Sequence, residues 1–130
     1  MIVGIIYLNG RKGRLQAEIA LQTGADIGAD VVVIAEALVE SERRPTHGTY
    51  DLTWNSKYLP VYTRKDRQIR VRGQDGGKWA MIGGNIAAAY LPPQLSHQAG
   101  ERALERMVRA GADTLLSNLN CCGESKKRVL

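Results

Sequence analysis

Residues 30–36 read Asp30-Val31-Val32-Val33-Ile34-Ala35-Glu36, an unbroken apolar run held between two carboxylates. A short, β-branched run without polar alternation predicts a strand buried on both faces. Residues 2–8 (IVGIIYL) have the same character. Between the two, Asn9-Gly10 turns the chain, and residues 14–25 carry good helix formers, with Leu15 and Ile19 one turn apart and a Gly as the stop. The order strand, helix, strand predicts a β-α-β unit with parallel strands and a right-handed crossover.

Past Glu36 the pattern loosens. Residues 41–56 are polar and irregular, ending in Tyr50-Asp51-Leu52-Thr53-Trp54. In Gln68-Ile69-Arg70-Val71-Arg72 apolar and basic residues alternate, which predicts a half-exposed strand with Arg70 and Arg72 on one face. Gly73-Gln74-Asp75-Gly76-Gly77 reads as a turn, so 57–63, 67–72 and 78–82 are expected as antiparallel hairpin strands. A buried strand over 85–91 closes at Pro92-Pro93. Ser96 is placed to cap a helix over 97–110 whose apolar face is Leu104, Met107 and Val108. A last strand is expected at 114–119. Gly-Ala-Asp occurs at 24–26, 28–30 and 111–113, and the second and third copies each fall between a helix and a strand.

Two helices are too few to cover both faces of this many buried strands. The economical arrangement is α+β, with two sheets face to face and one helix on the outer side of each. Polar residues at the strand ends would then share one rim.

The chain has 130 residues, 44% hydrophobic and 24% charged, which fits one ordinary globular domain over 1–130. No apolar run approaches the roughly 20 residues of a membrane span, so no membrane partner is expected. The N-terminus lacks a basic leader, and Cys121 and Cys122 are adjacent and cannot frame a disulfide scaffold. The expected compartment is intracellular, nuclear or cytoplasmic. The net charge of +5 is concentrated in residues 57–80, which hold Lys57, Arg64, Lys65, Arg67, Arg70, Arg72 and Lys78 against Asp66 and Asp75. Such a stretch suits a polyanion, and Arg64, Lys65, Arg67, Arg70 and Arg72 are the candidate nucleic-acid contacts. A solvated strand edge kept from aggregating is the alternative.

Glu36 is the sharpest single residue. A carboxylate closing a core strand is costly to bury unpaired, and a hard divalent cation, an arginine or a capping role would each compensate it. Asn9 closes the first strand, where a turn role is the default, and Tyr90 by composition alone would be core packing.

Taken in order, Asn9, Ala35-Glu36, Ala89-Tyr90-Leu91-Pro92-Pro93 and Ser117-Asn118-Leu119-Asn120 resemble the endonuclease/exonuclease/phosphatase superfamily, and within it the endonuclease domains of LINE-type (non-LTR) retrotransposons. The resemblance implies a four-layer α/β/β/α sandwich and metal-dependent phosphodiester hydrolysis on nucleic acid, DNA above RNA. By position, Glu36 resembles the carboxylate that holds Mg2+ or Mn2+, and Asn9 a polar residue beside the metal. Tyr90 resembles a tyrosine on the phosphate side, and Asn120 the asparagine that orients the scissile phosphate.

Two departures bear on activity. Where the family has an aspartate that handles the proton of the attacking water, this chain has Asn118, and an amide cannot accept that proton. The family's carboxyl-terminal aspartate-histidine pair has no counterpart, and neither His47 nor His97 stands in its place. The resemblance therefore implies a retrotransposon-derived domain, partial and catalytically impaired. The alternative is a non-catalytic module for nucleic-acid binding, protein interaction or assembly. With much of the second sheet expected to be missing, the inner face of the first would be bare. A homodimer, its two copies completing the sandwich, is expected from that bare face.

Overall fold

The computed structural model describes residues 4–9, 13–36, 44–91, 96–117 and 126–129. Pro92-Pro93, Asn118, Asn120 and the two cysteines, all singled out in the sequence, lie outside the described residues. The architecture is mixed α+β, with two sheets and two helices. The first sheet holds β1 (Ile5–Asn9), β2 (Val31–Ala35), β3 (Tyr50–Trp54) and β4 (Val61–Arg64) in the order β1-β2-β4-β3. The second holds β5 (Val71–Gln74), β6 (Trp79–Ile82), β7 (Ile86–Ala89), β8 (Thr114–Ser117) and β9 (Lys126–Val129) in chain order. Helix α1 (Arg14–Ile27) joins β1 to β2 and α2 (His97–Arg109) joins β7 to β8, and both strand pairs are parallel.

The two β-α-β units end their helices in the same way. After α1, Gly28 is left-handed (φ 72), its N–H donates to the Ala25 carbonyl and the Ala29 N–H to the Gly24 carbonyl. After α2, Gly111 (φ 107) donates to Val108 and Ala112 to Met107. Each is a Schellman stop, built at a site where glycine meets no Cβ penalty. The aspartate that follows is also matched: Asp30 N–H donates to the Gly4 carbonyl ahead of β1, and Asp113 N–H to the Asn85 carbonyl ahead of β7. The Gly-Ala-Asp echo is therefore a structural repeat at its second and third copies. The first copy is different: Gly24 lies inside α1, and the helix runs on to Gly28 instead of stopping there. A Cβ at Gly24 would come within 2.6 Å of Val32 Cγ2, so the missing side chain lets the helix approach the sheet.

Three apolar clusters organise the packing. One joins Ala17, Ala20 and Leu21 of α1 to Val32, Ile34, Tyr50 and Tyr62 of the first sheet. Another joins Ala103 and Met107 of α2 to Trp79, Met81, Ala87, Ala89 and Leu115 of the second. The third draws Val31, Val33, Ala35 and Val61 from the first sheet and Ala80, Ile82 and Ala88 from the second. The inner face expected to be bare is thus covered within one chain, since Val31, Val33, Ala35 and Val61 are all 0% exposed. The bare inner face from which a homodimer is expected is therefore not found at these residues.

The helix faces also depart from expectation. On α1 the buried residues are Ala17, Ala20, Leu21 and Gly24, whereas Leu15 and Ile19 are 63% and 55% exposed. The small side chains admit close helix–sheet contact, and the bulky pair turns to solvent. On α2, Ser96 caps as expected, accepting from the Ala99 N–H at 3.1 Å, and Met107 is buried, but Val108 is exposed. Of the strands expected in the hairpin of the middle segment, only β5 and β6 pair as expected. β4 pairs with β2 and β3 in the first sheet, so the chain changes sheets between Arg64 and Val71. Residues 50–54, expected to be irregular, form the edge strand β3.

Candidate active site at the strand ends

The parallel register sets Asn9 beside Ala35, the last residue of β2, and Glu36 follows directly. In the second sheet Ala89 pairs with Ser117, and Tyr90 follows β7. The two sheets meet at this end: Tyr7 Oη donates to the Ala89 carbonyl at 2.7 Å, and Tyr90 Oη donates to Glu36 Oε1 at 3.3 Å. Asn9, Glu36 and Tyr90 therefore lie at one rim, as their strand-end positions predict. Glu36 has φ 50, and among the described residues it is the one non-glycine at positive φ. That conformation is unfavourable for a glutamate by about 1–2 kcal/mol. The carboxylate meets the phenol of Tyr90 across the sheets.

The phenol of Tyr90 is pushed above its ordinary 10.0, first by burial, then by the negative charge of Glu36 and the hydrogen bond to it. It is a protonated donor over the whole neutral range. Its ring stacks on Tyr58 with centroids 5.9 Å apart and planes 9° apart, an offset-stacked separation. Lys57 Nζ and Lys78 Nζ lie 5.7 and 5.8 Å from the centroid of the same Tyr58 ring. Lys78 reaches this place by register: β6 runs antiparallel to β7, and the Tyr90 N–H donates to the Lys78 carbonyl at 2.8 Å.

The loop carrying Lys57 and Tyr58 is tied down. Ser56, 7% exposed, donates from Oγ to the Gly77 carbonyl and accepts the Tyr58 N–H at 3.1 Å. Buried Arg44 donates to the carbonyls of Ser56 and Lys57 at 2.7 and 3.2 Å and to Asn55 Oδ1 at 3.2 Å. Gly77, at φ 89, leaves room for the serine, since a Cβ there would lie 2.6 Å from Ser56 Oγ.

The arginine-rich candidates sit elsewhere. Arg64 ends β4 beside Asp30, where its N–H donates to the Asp30 carbonyl and its guanidinium pairs with Asp66 at 3.0 Å. Arg67 Nε lies 3.5 Å from the carboxylate of buried Asp30, and the Lys65 N–H donates to Thr49. Asp30 and Glu36 bracket β2, so Arg64, Lys65 and Arg67 stand roughly 20 Å from Glu36 along extended chain. Arg70 also precedes its strand, β5, at that far end. Arg72 pairs with Met81, whose side chain packs beneath α2, which puts it on the outer face of the second sheet. The two arginines line a small cleft of about 210 Å³ with Gln74, Met81, Gly84 and Ala110. Among the described side chains, Lys57 and Lys78 are cations that reach the rim, and the sequence shows them only as members of the basic stretch. Their signal is position, next to Tyr58 and next to the first residue of β6, and it is readable only once the strand register is known.

A hard cation suits the donors present: one carboxylate, Glu36, with the Asn9 amide at the neighbouring strand end. Magnesium binds through one or two carboxylates and keeps several of its waters. Among the described residues no three His, Cys, Asp or Glu side chains cluster as they would around a caged metal. No helix of the described residues is long and apolar enough to cross a membrane.

No protein-family model matches the sequence, and no curated protein does. A solved structure does match: the endonuclease domain of TRAS1, a telomere-specific non-LTR retrotransposon, with a TM-score of 0.60 at 12% sequence identity. The likeness is one of fold. It covers 89% of this chain and 58% of the TRAS1 domain chain, so this chain spans under two thirds of its structural relative.

Proposed function

We propose that the chain is a retrotransposon-derived endonuclease-like domain, a four-layer α/β/β/α sandwich whose strand-end rim engages a phosphodiester of nucleic acid, with turnover impaired. The observation that carries this reading is the 3.3 Å hydrogen bond between Tyr90 and Glu36, which joins the carboxyl ends of β7 and β2 from opposite sheets. The three apolar clusters support the layers, and the likeness to the TRAS1 endonuclease domain supports the ancestry. Glu36, with Asn9 beside it, would hold Mg2+ or Mn2+, which supplies positive charge to a phosphate oxygen when bound. Tyr90, kept protonated by burial, is suited to donate to a second phosphate oxygen. Asn118 supports impairment, because general-base help of the kind an aspartate gives is worth roughly 10²–10⁴ in rate. It also favours the second reading, a nucleic-acid-binding module without turnover.

The test is nicking of supercoiled plasmid with Mg2+ or Mn2+. The parent is expected to nick slowly, Glu36→Ala not at all, and Asn118→Asp at least about a hundredfold faster than the parent. Equal nicking by parent and Glu36→Ala would overturn the assignment of Glu36. Salt-sensitive DNA binding with no nicking by parent or Asn118→Asp would leave the binding module.

A further inference from the structure

We propose that Lys57, Tyr58 and Lys78 form a second subsite at the rim, which takes the phosphate flanking the one at Glu36 and Tyr90. The inference rests on the phosphodiester reading of that pair. Its own basis is different: two ammonium groups converge on one aromatic ring, at 5.7 and 5.8 Å from its centroid, and neither pairs with a carboxylate of the described residues. The π cloud of Tyr58 attracts each cation, and an anion brought to that ring is attracted by both ammonium groups at once.

The pair comes from opposite sheets, Lys57 from the segment between β3 and β4 and Lys78 from the start of β6, so the convergence is tertiary. It is also prebuilt. Ser56 bonds to both loops at once, through the Gly77 carbonyl and the Tyr58 N–H, and Arg44 fixes the backbone on either side of it. The backbone that carries Lys57 and Tyr58 is therefore fixed before any ligand arrives.

The position points to the ligand. At the rim Glu36 is bonded to Tyr90, Tyr90 stacks on Tyr58, and both lysines lie by the Tyr58 ring. A second anionic position one aromatic ring beyond the first matches a polymer of phosphates rather than a single one. Lysines act on phosphate as point charges and carry no base readout, so the subsite holds a strand without selecting its sequence.

Metal-free binding of a fluorescent DNA duplex, followed by anisotropy from about 50 to about 200 mM salt, tests this. Each phosphate neutralised adds about 0.9 to the slope of log K against log salt, so Lys57→Ala/Lys78→Ala, which empties a one-phosphate subsite, is expected to flatten it by about 0.9 and to weaken binding at low salt. Arg64→Ala/Lys65→Ala, which removes the same charge at the far end, is expected to leave the slope within error of the parent. A parent-like slope in the Lys57/Lys78 variant would overturn the subsite. So would equal flattening by the Arg64/Lys65 variant, no salt-dependent binding by the parent, or inorganic phosphate competing as well as an oligonucleotide of equal phosphate content. Thermal melts of both variants confirm that each is folded. Nicking with an unchanged slope would sink the subsite alone, and a flattened slope with no nicking would sink the hydrolytic reading alone.

Discussion

Glu36 shows how much one residue is asked to do. It closes a fully buried strand, adopts a left-handed backbone that glutamate disfavours, and accepts the phenol of Tyr90. Strain of this kind persists where a carboxylate must point in one direction, and removing it should stabilise the fold while removing the site. Glu36→Gly and Glu36→Ala both delete the carboxylate, but only glycine relaxes the backbone. The glycine variant is expected to be more stable than the alanine one by about 1 kcal/mol in urea denaturation. Equal stabilities would mean that the turn after β2 is not strained. From the sequence, Glu36 is legible as a polar residue in an apolar place. Its partner is not, because Tyr90 lies 54 residues away and on the other sheet.

At the scale of elements, α1 is the instructive case. Helical spacing marks Leu15 and Ile19 as a core stripe, yet the sheet takes Ala17, Ala20, Leu21 and Gly24. Those four also follow the i, i+3, i+4, i+7 rule, so the pattern alone offers two faces. What decides between them is distance: Val32 and the Tyr50 hydroxyl sit close enough that Gly24 has no room for a Cβ. Leu21→Ala is therefore expected to cost about 2–5 kcal/mol, of the order found for buried leucines, and Leu15→Gln and Ile19→Gln to stay within about 0.5 kcal/mol of the parent. Chemical denaturation of the three variants checks this, and a large loss at Leu15 or Ile19 would show that the exposed stripe is covered in solution. The helix ends are more legible, since Gly28 and Gly111 act through backbone geometry confined to a few residues.

Across the whole molecule, the two sheets are pinned at one edge by Trp54 of β3 lying on Gly73 of β5. A Cβ at Gly73 would fall 2.1 Å from Trp54 Cζ2. Gly73→Ala must displace the indole, with an expected loss of about 1–3 kcal/mol and a change in tryptophan emission from Trp54, while Trp79 stays buried beneath α2. Unaltered emission and stability would mean that the edge adapts without cost.

The sequence by itself determined what local chemistry controls. The apolar runs made β1 and β2, glycine and aspartate placed the helix ends, and strand-end position brought Asn9, Glu36 and Tyr90 to one rim. The tertiary structure alone decided which face of α1 is buried and that β4 and β5 belong to different sheets. It also decided that Lys57 and Lys78 accompany Tyr90, whereas Arg64, Arg67, Arg70 and Arg72 do not. Each of those outcomes depends on which surfaces meet across the sheets, and short-range periodicity carries no record of that pairing.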